Sequence, residues 1–217
     1  MFTGIIENTG KIAAITPTGG DIRLTIYAPD MDFSDVKLGD SIASNGICLT
    51  VVAVDGKNYA VDVSRETLNK TALKHWQIGD TVNLEKAMLP TTRFGGHIVA
   101  GHVDGVGKII KLSKDARSIY IEIQIPDKLM RYTADKGSIT LDGISLTTNA
   151  IKPSQNLVCL NIIPHDCAQG QGHVVTDLRG EEEHHAQEHE HGGQRQGHGQ
   201  PVAQPLGVGV HDNDGGD

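Results

Sequence analysis

The stretch at residues 45–51, NGICLTV, decides the fold because the chain contains a second version of it, DGISLTT, at residues 142–148. The two versions lie 97 positions apart. Recurrence at a fixed separation is the signature of a repeated structural unit. These seven residues therefore predict a duplication that extends to both sides of them.

A gapless alignment at this separation pairs residues 4–51 with residues 101–148, and 14 of the 48 positions are identical. Average residue frequencies give roughly a fifth of that number by chance. Beyond this block, a separation of 99 pairs YAVDVSRE at residues 59–66 with VCLNIIPH at residues 158–165. We therefore expect two related domains, the first at residues 1–97 and the second at residues 98–165.

Each domain has the sequence pattern of antiparallel strands. In the first domain, GKIAAI and DIRLTIYAP alternate apolar and polar residues on either side of the turn-rich TPTGG, and the second domain repeats this arrangement. Asp55 and Gly56 predict a two-residue turn between two further strands. Short helices are expected at residues 65–75 and 126–132. Several short strands joined by tight turns predict a small antiparallel barrel in each domain.

Charge and composition exclude several classes of function. The chain has a formal net charge of −8, but residues 166–217 alone contribute −8 and residues 1–165 are neutral. A neutral body is not built to bind nucleic acid through counterion release. No apolar run reaches the ~20 residues of a membrane helix and the N-terminus lacks a secretory pattern, so we expect a cytoplasmic protein without a membrane partner. The three cysteines include no Cys-x-x-Cys pair and predict neither a disulfide framework nor a zinc site.

Six separated motifs carry a family resemblance. They are MFTGIIE at the start, SIASNGICLTV at 41–51, ETLNKT at 66–71, GDTVNLEKAM at 79–88, GGHIVAGHVDGVG at 95–107 and ITLDGISLT at 139–147. In this order they closely resemble riboflavin synthase of the alpha-chain type. The resemblance implies two tandem six-stranded Greek-key barrels, each binding one 6,7-dimethyl-8-ribityllumazine.

The resemblance also implies a reaction and an assembly. Two lumazines exchange a four-carbon unit and give riboflavin and 5-amino-6-ribitylaminouracil, with no cofactor and no metal. For a chain with a native-like C-terminus, the implied assembly is a homotrimer in which the first barrel of one subunit faces the second barrel of a neighbour. Lumazine, riboflavin and the enzyme lumazine synthase are the expected partners.

Differences between the repeats are informative, because one lumazine donates the unit and the other accepts it. Asp142, which aligns with Asn45, is a candidate base for the acidic 7-methyl group. Ser145 and Thr147 are candidates for relaying that proton. Cys48, which aligns with Ser145, or a bound water is a candidate nucleophile toward the electron-poor carbon of the other ring.

Two histidines and a serine complete the predicted catalytic set. His97 and His102 are candidate proton shuttles because imidazole titrates near neutral pH. Ser41 belongs to the set through the resemblance alone. The two histidines do not have the helical spacing of a zinc motif, so no metal is expected there.

The resemblance places further residues at the two lumazines, including several whose polar groups suit the ribityl hydroxyls. They are Gly4, Ile5, Ile6, Cys48, Leu49, Thr50, Asp62, Val63, Ser64, Arg65, Glu66, Thr67, Gly101, His102, Val103, Lys136, Ser145, Leu146, Thr147, Asn161, Ile162, Ile163, Pro164 and His165.

Plain structural interpretations stand beside several of these assignments. A cysteine in an apolar strand is commonly a core residue, so Cys48 is either pocket wall or nucleophile. Asp142 before a glycine is ordinary turn chemistry. Lys136 is equally well a solvated surface lysine. Arg65 and Glu66 fit a charged helix N-terminus almost as well as a ligand site.

The C-terminal segment departs from the repeat. Residues 166–217 contain no Phe, Trp, Tyr, Ile, Met, Lys or Ser but hold 11 glycines and seven histidines. This composition predicts a disordered Gly/His/acidic tail. A shifted reading frame accounts for the abrupt change, and a native metal-binding tail is the alternative. If the tail is genuine, the second barrel is expected to lack its last strand and to expose an edge.

Two other functions compete with the enzyme. Relatives of the family bind lumazine or flavin without catalysis, and such proteins have one degraded pocket. Here both NGICLT and DGISLT are intact, which favours the enzyme. A metal-handling protein is supported by the tail alone.

Overall fold

The computed structural model describes residues 1–162 and 205–210. The first repeat forms a closed antiparallel barrel in the order β1-β2-β5-β4-β3-β6. Its strands are β1 (Asn8–Thr18), β2 (Asp21–Tyr27), β3 (Ser41–Ser44), β4 (Ile47–Asp55), β5 (Asn58–Val63) and β6 (Thr81–Lys86). Helix α1 (Arg65–Lys70) and a 3-10 turn at Ala72–His75 connect β5 to β6, as the sequence predicted.

The second repeat forms a seven-stranded sheet in the order β10-β9-β13-β7-β8-β12-β11. Its strands are β7 (Gly105–Asp115), β8 (Ser118–Gln124), β9 (Ser138–Leu141), β10 (Ile144–Thr147), β11 (Ala150–Lys152), β12 (Leu157–Ile162) and β13 (Pro205–Val210). Helix α2 (Asp127–Met130) lies within the predicted range, and a 3-10 turn spans Pro153–Gln155. The all-β tandem architecture is therefore confirmed.

The recurring stretches at residues 45–51 and 142–148 each form a tight turn followed by a strand. Asn45 and Gly46 have φ angles of 47° and 76°, and Asp142 and Gly143 have φ angles of 43° and 87°. Two-residue hairpin turns of type I′ need positive φ at both positions, which Asn, Asp and Gly adopt most readily. The turn therefore explains why both stretches begin with an Asx-Gly pair.

The same β-bulge occurs in both repeats. The register shifts between Ile12 and Ala14 in β1 and between Ile109 and Lys111 in β7, which are equivalent positions. A bulge increases local twist and bends the strand. The bulges therefore help both sheets to curl around their cores.

The second sheet is open, whereas the first is a closed barrel. An incomplete second barrel was predicted, but the cause is different. The strand equivalent to β4 is interrupted between Thr147 and Ala150 and appears as two strands, β10 and β11. The prediction that the last strand is missing is wrong. Strand β13 fills that place between β7 and β9.

The predicted tail is consequently wrong for residues 205–210, which form a strand rather than a disordered segment. Alternating Leu, Val and Val residues match the period of a strand, and the main chain of β7 and β9 offers hydrogen-bond partners on both sides. Residues 163–204 and 211–217, including Ile163, Pro164 and His165, lie outside the described residues.

The two repeats exchange short segments. Ile6 of the first repeat is buried in the second core, and Val103 of the second repeat packs against the first core. Phe2 and Val99, which are equivalent residues, pair through N–H···O bonds of 2.8 and 2.9 Å. Each core is therefore in contact with a residue from the other repeat. No helix in the described part has the length and apolar character needed to cross a membrane.

Candidate functional site

Two reciprocal main-chain contacts define the candidate sites. The Cys48 N–H donates to the Gly101 carbonyl at 2.8 Å, and the Ser145 N–H donates to the Gly4 carbonyl at 2.8 Å. Cys48 aligns with Ser145, and Gly4 aligns with Gly101. Each site thus combines a strand of one repeat with the N-terminal segment of the other. A side chain at Gly4 would collide with Ser145, since its Cβ would lie 2.7 Å from the Ser145 Cβ.

In the first site, predicted residues on β3 and β4 share one outward face. Ser41 and Thr50 are cross-strand partners, and Cys48 lies two residues before Thr50. Cys48 and Ser41 are half-buried and Thr50 is exposed. The side chain of Leu49 belongs to the core, so it can reach a ligand at this face only through its main chain.

The polar residues at the end of β5 and at the start of α1 are already engaged in local contacts. Asp62 forms a two-pronged ion pair with Arg23, with N···O distances of 2.7 and 2.8 Å, and the hydrogen bond from Arg23 lowers the Asp62 pKa. The Ser64 hydroxyl accepts the Thr67 N–H at 3.2 Å and caps α1. Val63 is a core residue, whereas Arg65 and Glu66 are exposed at the helix start. The helix-cap interpretation of this segment is thus visible in the geometry.

In the second site, an imidazole joins two hydroxyl groups. His97 Nδ1 lies 2.7 Å from the Ser145 hydroxyl, and His97 Nε2 lies 3.1 Å from the Thr140 hydroxyl. Thr140 is buried and His97 is half-buried. Thr140 was missed, although it replaces Ala43 of the first repeat and a comparison of the repeats contains that signal. His102 is exposed and lines the adjoining cavity together with His97.

The other predicted residues of the second site have varied positions. Thr147 is exposed, but Leu146 and Ile162 are core residues. Asn161 is held by Asn149, Asp115 and Ser118 through hydrogen bonds of 2.7, 2.8 and 3.0 Å. Lys136 is exposed at a positive φ of 62°. Ile5 is half-buried, and its side chain is 3.2 Å from where a Cβ on Gly95 would lie.

Asp142 is buried and its carboxylate faces the closing strand. Its Oδ1 accepts the Gly207 N–H at 2.7 Å. Burial raises the Asp142 pKa to about 7, and the bond from Gly207 partly opposes that rise. The equivalent Asn45 makes the same contact in the first repeat, where its Oδ1 accepts the Asn83 N–H at 2.7 Å. Asp142 therefore occupies a position that anchors a strand in both repeats.

Glu85 is a buried carboxylate that holds the N-terminal segment in place. The sequence analysis did not identify it. Glu85 accepts the Thr3 N–H at 2.6 Å, the Thr3 hydroxyl at 2.8 Å and the Gly4 N–H at 3.0 Å. Burial raises the Glu85 pKa, and these three bonds lower it in part. Glu85 thereby holds Gly4 where its carbonyl accepts from Ser145. The repeat comparison gave no signal, because the equivalent strand lies far along the chain.

A cavity of about 200 Å³ lies between the repeats. Its lining residues come from both repeats, and five of them are glycines. The lining residues are Asn45, Gly46, His97, Ile98, Val99, Ala100, Gly101, His102, Val103, Asp104, Thr140, Gly143, Gly207 and Gly209. Only His97, Gly101, His102 and Val103 of this set belong to the predicted sites.

The Lumazine binding domain model matches residues 3–87 and again residues 100–173. The chain belongs to the riboflavin synthase family. The riboflavin synthase of Photobacterium phosphoreum is 52% identical over 165 residues, which cover 76% of this chain and 75% of the relative. That of Bacillus subtilis is 42% identical over 169 residues, which cover 78% and 77%.

Solved structures agree with the family at the level of the fold. The crystal structure of LumP complexed with flavin mononucleotide matches with a TM-score of 0.73 and 20% identity, covering 97% of this chain and 99% of LumP. LumP complexed with riboflavin matches with a TM-score of 0.69 and 24% identity, covering 76% and 88%. Residues 1–162 and 205–210 of this family member contain no group of three or more His, Cys, Asp or Glu side chains placed to hold a metal ion.

Proposed function

We propose that this chain is a riboflavin synthase that binds one 6,7-dimethyl-8-ribityllumazine at each site. It transfers a four-carbon unit from one lumazine to the other, giving riboflavin and 5-amino-6-ribitylaminouracil. Family membership supports the reaction, and the reciprocal pair of contacts, Cys48 with Gly101 and Ser145 with Gly4, supports two sites of the same plan. A reaction between two identical molecules needs such a pair.

The difference between the sites supports the assignment of roles. The first site presents the Cys48 thiol, and the second presents the Ser145 hydroxyl bonded to an imidazole. A neutral imidazole has one donor and one acceptor nitrogen, so His97 can take a proton from one hydroxyl and release it toward the other. We assign Ser145, His97 and Thr140 to the proton relay at the lumazine 7-methyl group, and Cys48 to the contact with the other ring.

We also propose roles for Ser41, His102 and Asp142. Ser41 lies on the same face as Thr50 and is proposed as a ligand contact. His102 is exposed at the cavity and is proposed as a second shuttle. Asp142 is proposed as the anchor of β13, and as a base only when that anchor is open toward the ligand.

The test is incubation of the purified full chain with the lumazine alone. Riboflavin and the diaminouracil product should appear in equal amounts. Ser145→Ala should lower kcat by about 10²-fold or more, since positioned acid–base groups contribute roughly 10² to 10⁴. Thr140→Val should lower it less, and Ser154→Ala, at an exposed position of the 3-10 turn outside both sites, serves as the control. Binding of lumazine without turnover by the unaltered chain would instead support a non-catalytic binding protein.

The thiol is tested by a matched exchange between the sites. Cys48→Ser makes the first site resemble the second, and Ser145→Cys does the reverse. If the thiol takes part in addition, Cys48→Ser should keep lumazine affinity and lose most of the rate. An unchanged rate would assign Cys48 to the pocket wall.

We also propose the assembly that the family resemblance implies. The chain works in the cytoplasm as a homotrimer, with catalysis where the first barrel of one subunit meets the second barrel of a neighbour, and it associates with lumazine synthase. Light scattering on the purified chain should give three times the monomer mass of 23.2 kDa. Co-sedimentation with lumazine synthase tests the second partner, and a monomer that retains full activity would contradict the trimer.

A further inference from the structure

Strand β13 places two glycines where β6 has polar side chains. In the first repeat β6 pairs Asn83 with Thr9 and Glu85 with Ala43. In the second repeat Gly207 pairs with Val106 and Gly209 pairs with Thr140. Val106 and Thr140 are the equivalents of Thr9 and Ala43. Gly209 therefore stands in the position of Glu85, and Gly207 in that of Asn83.

The groups that Glu85 binds have counterparts in the second repeat. Thr3 and Gly4 donate their N–H groups to Glu85, and their equivalents are Ala100 and Gly101. Within residues 1–162 and 205–210, neither of these two amides donates to a protein acceptor. The carboxylate is missing from the second repeat, but the pair of donors that would receive it is present.

The space for the missing carboxylate is open. Ala100, Gly101 and Gly209 all line the cavity of about 200 Å³ between the repeats. A Cβ added at Gly209 would have its nearest neighbour at 3.5 Å, the Thr140 Cβ, which is ordinary contact. A water molecule takes roughly 30 Å³ in the liquid, so the cavity has room for a small organic acid and some water.

We propose that this cavity is a binding site for a small monocarboxylate such as acetate or propionate. Its carboxylate accepts the Ala100 and Gly101 N–H groups as Glu85 accepts those of Thr3 and Gly4, and its alkyl end lies toward Gly209. The Thr140 hydroxyl, 4.0 Å from the absent Gly209 Cβ, supplies a further polar group beside that end.

The acidic neighbour of this site has a precedent in the first repeat. Asp104 Oδ2 lies 4.0 Å from the absent Gly209 Cβ. Its equivalent is Glu7, whose charge acts on Glu85 and raises the Glu85 pKa, second to burial among the raising effects. Glu85 nevertheless stays bound to its amides, so a carboxylate beside Asp104 is compatible with the same fold.

The test is thermal unfolding of the full chain in sodium acetate or propionate, compared with sodium chloride at equal ionic strength. Acetamide and propionamide serve as neutral controls of the same shape. A ligand that binds only the folded state at a hundredfold excess over Kd should raise Tm by about 5 °C or more in a chain of this size. The amides should leave Tm at its value in chloride, and an equal rise with the amides would overturn the proposal.

Variants and a local probe assign the response to this cavity. Gly209→Glu supplies the carboxylate within the chain, so it should raise Tm in chloride and abolish the acetate response, whereas Gly207→Asn should keep that response. Acetate should also shift the Ala100 and Gly101 amide resonances in a saturable way. A full acetate response in Gly209→Glu, or amide resonances that do not move, would show that the carboxylate binds elsewhere or not at all.

Discussion

Strands β6 and β13 occupy the same place in the two repeats and do so by different means. Both pair with the first and third strands of their repeat in the same register. Leu84 and Val208, at equivalent positions, are both completely buried. The strands differ in their polar side chains, because β6 has Asn83 and Glu85 where β13 has only glycines. A strand position in a barrel thus requires main-chain pairing and alternate apolar residues, whereas polar anchoring is a separate requirement.

The comparison separates closure of a sheet from its connection to the other repeat. Through Glu85 and Asn83, β6 reaches the N-terminal segment and the carbonyl of Asp142. In the second repeat, the bond from the Gly207 N–H of β13 to Asp142 stays within that repeat. Among the described residues, the side chain of Asn83 therefore links β6 to the other repeat, and β13 has no side-chain counterpart of that link because Gly207 stands in the place of Asn83.

The largest loss of stability is expected when Val208, the buried apolar residue of β13, is replaced by a charged residue. Val208→Asp places a carboxylate in the second core and should cost more than about 4 kcal/mol, enough to release β13. Amide exchange should then rise in β7 and β9 but remain slow in β1 and β3. Val208→Leu, which copies Leu84, should stay near the parent stability. Unchanged protection of β7 in Val208→Asp would mean that β13 does not hold the sheet.

The next largest loss of stability is expected when Glu85 of the first repeat is replaced by glycine, the residue at the equivalent position of the second repeat. Glu85→Gly removes an acceptor from two amides and a hydroxyl and should lower the free energy of unfolding by about 3 kcal/mol. Urea unfolding measures this loss. The variant should also gain a stabilising response to acetate, because it creates an equivalent cavity. A loss of stability without that response would mean that the emptied space collapses.

The pH dependence of stability tests the buried Asp142. Its pKa is raised to about 7 in the folded chain and is near 3.8 when unfolded, so its stabilising contribution is complete below pH ~4 and is lost as pH rises through 7. Asp142→Asn should therefore be more stable than the parent at pH 8, by about 2 kcal/mol. This is roughly half of what three pKa units give, because a neutral amide oxygen binds the Gly207 N–H less strongly.

Urea unfolding of both proteins from pH 4 to pH 8 is the measurement for this variant. The difference between them should grow with pH and level off above 7. The converse change, Asn45→Asp, should introduce a similar decline into the first repeat. A difference that does not vary with pH would place Asp142 in a solvated environment and would revive its candidacy as an ordinary exposed base.

The smallest expected effect is a gain in stability from a substitution at Gly207. A Cβ on Gly207 would lie 3.8 Å from the Asn45 carbonyl oxygen, the counterpart of the Asp142 carbonyl that Asn83 Nδ2 reaches at 3.0 Å. Gly207→Asn should stabilise the chain by about 1 kcal/mol through that bond and reduced backbone freedom. Gly207→Ala measures the backbone part alone. Equal gains from both variants would show that no bond forms across the repeats.

The sequence predicted what depends on local pattern and on the duplication. Alternation and Asx-Gly turns located the strands, and the alignment identified Cys48 and Ser145 as equivalent positions. Long-range chemistry was not predictable in the same way. Nothing near Glu85 in sequence shows that its carboxylate binds amides 81 and 82 positions away. Composition averaged over residues 166–217 also concealed β13, because six residues with a strand pattern contribute little to a mean over 52.

The pairing of Phe2 with Val99 has an evolutionary consequence. Equivalent residues that bind each other across a two-fold axis are the mark of an isologous interface, as in a symmetric homodimer. A single-repeat ancestor with this contact would assemble as two separate copies, each lending its first residues to the other. Fusion of the copies replaces a concentration-dependent encounter with a tethered one at high effective concentration. After fusion the halves are free to diverge, and a thiol in one and a hydroxyl in the other can then be inherited as a fixed pair.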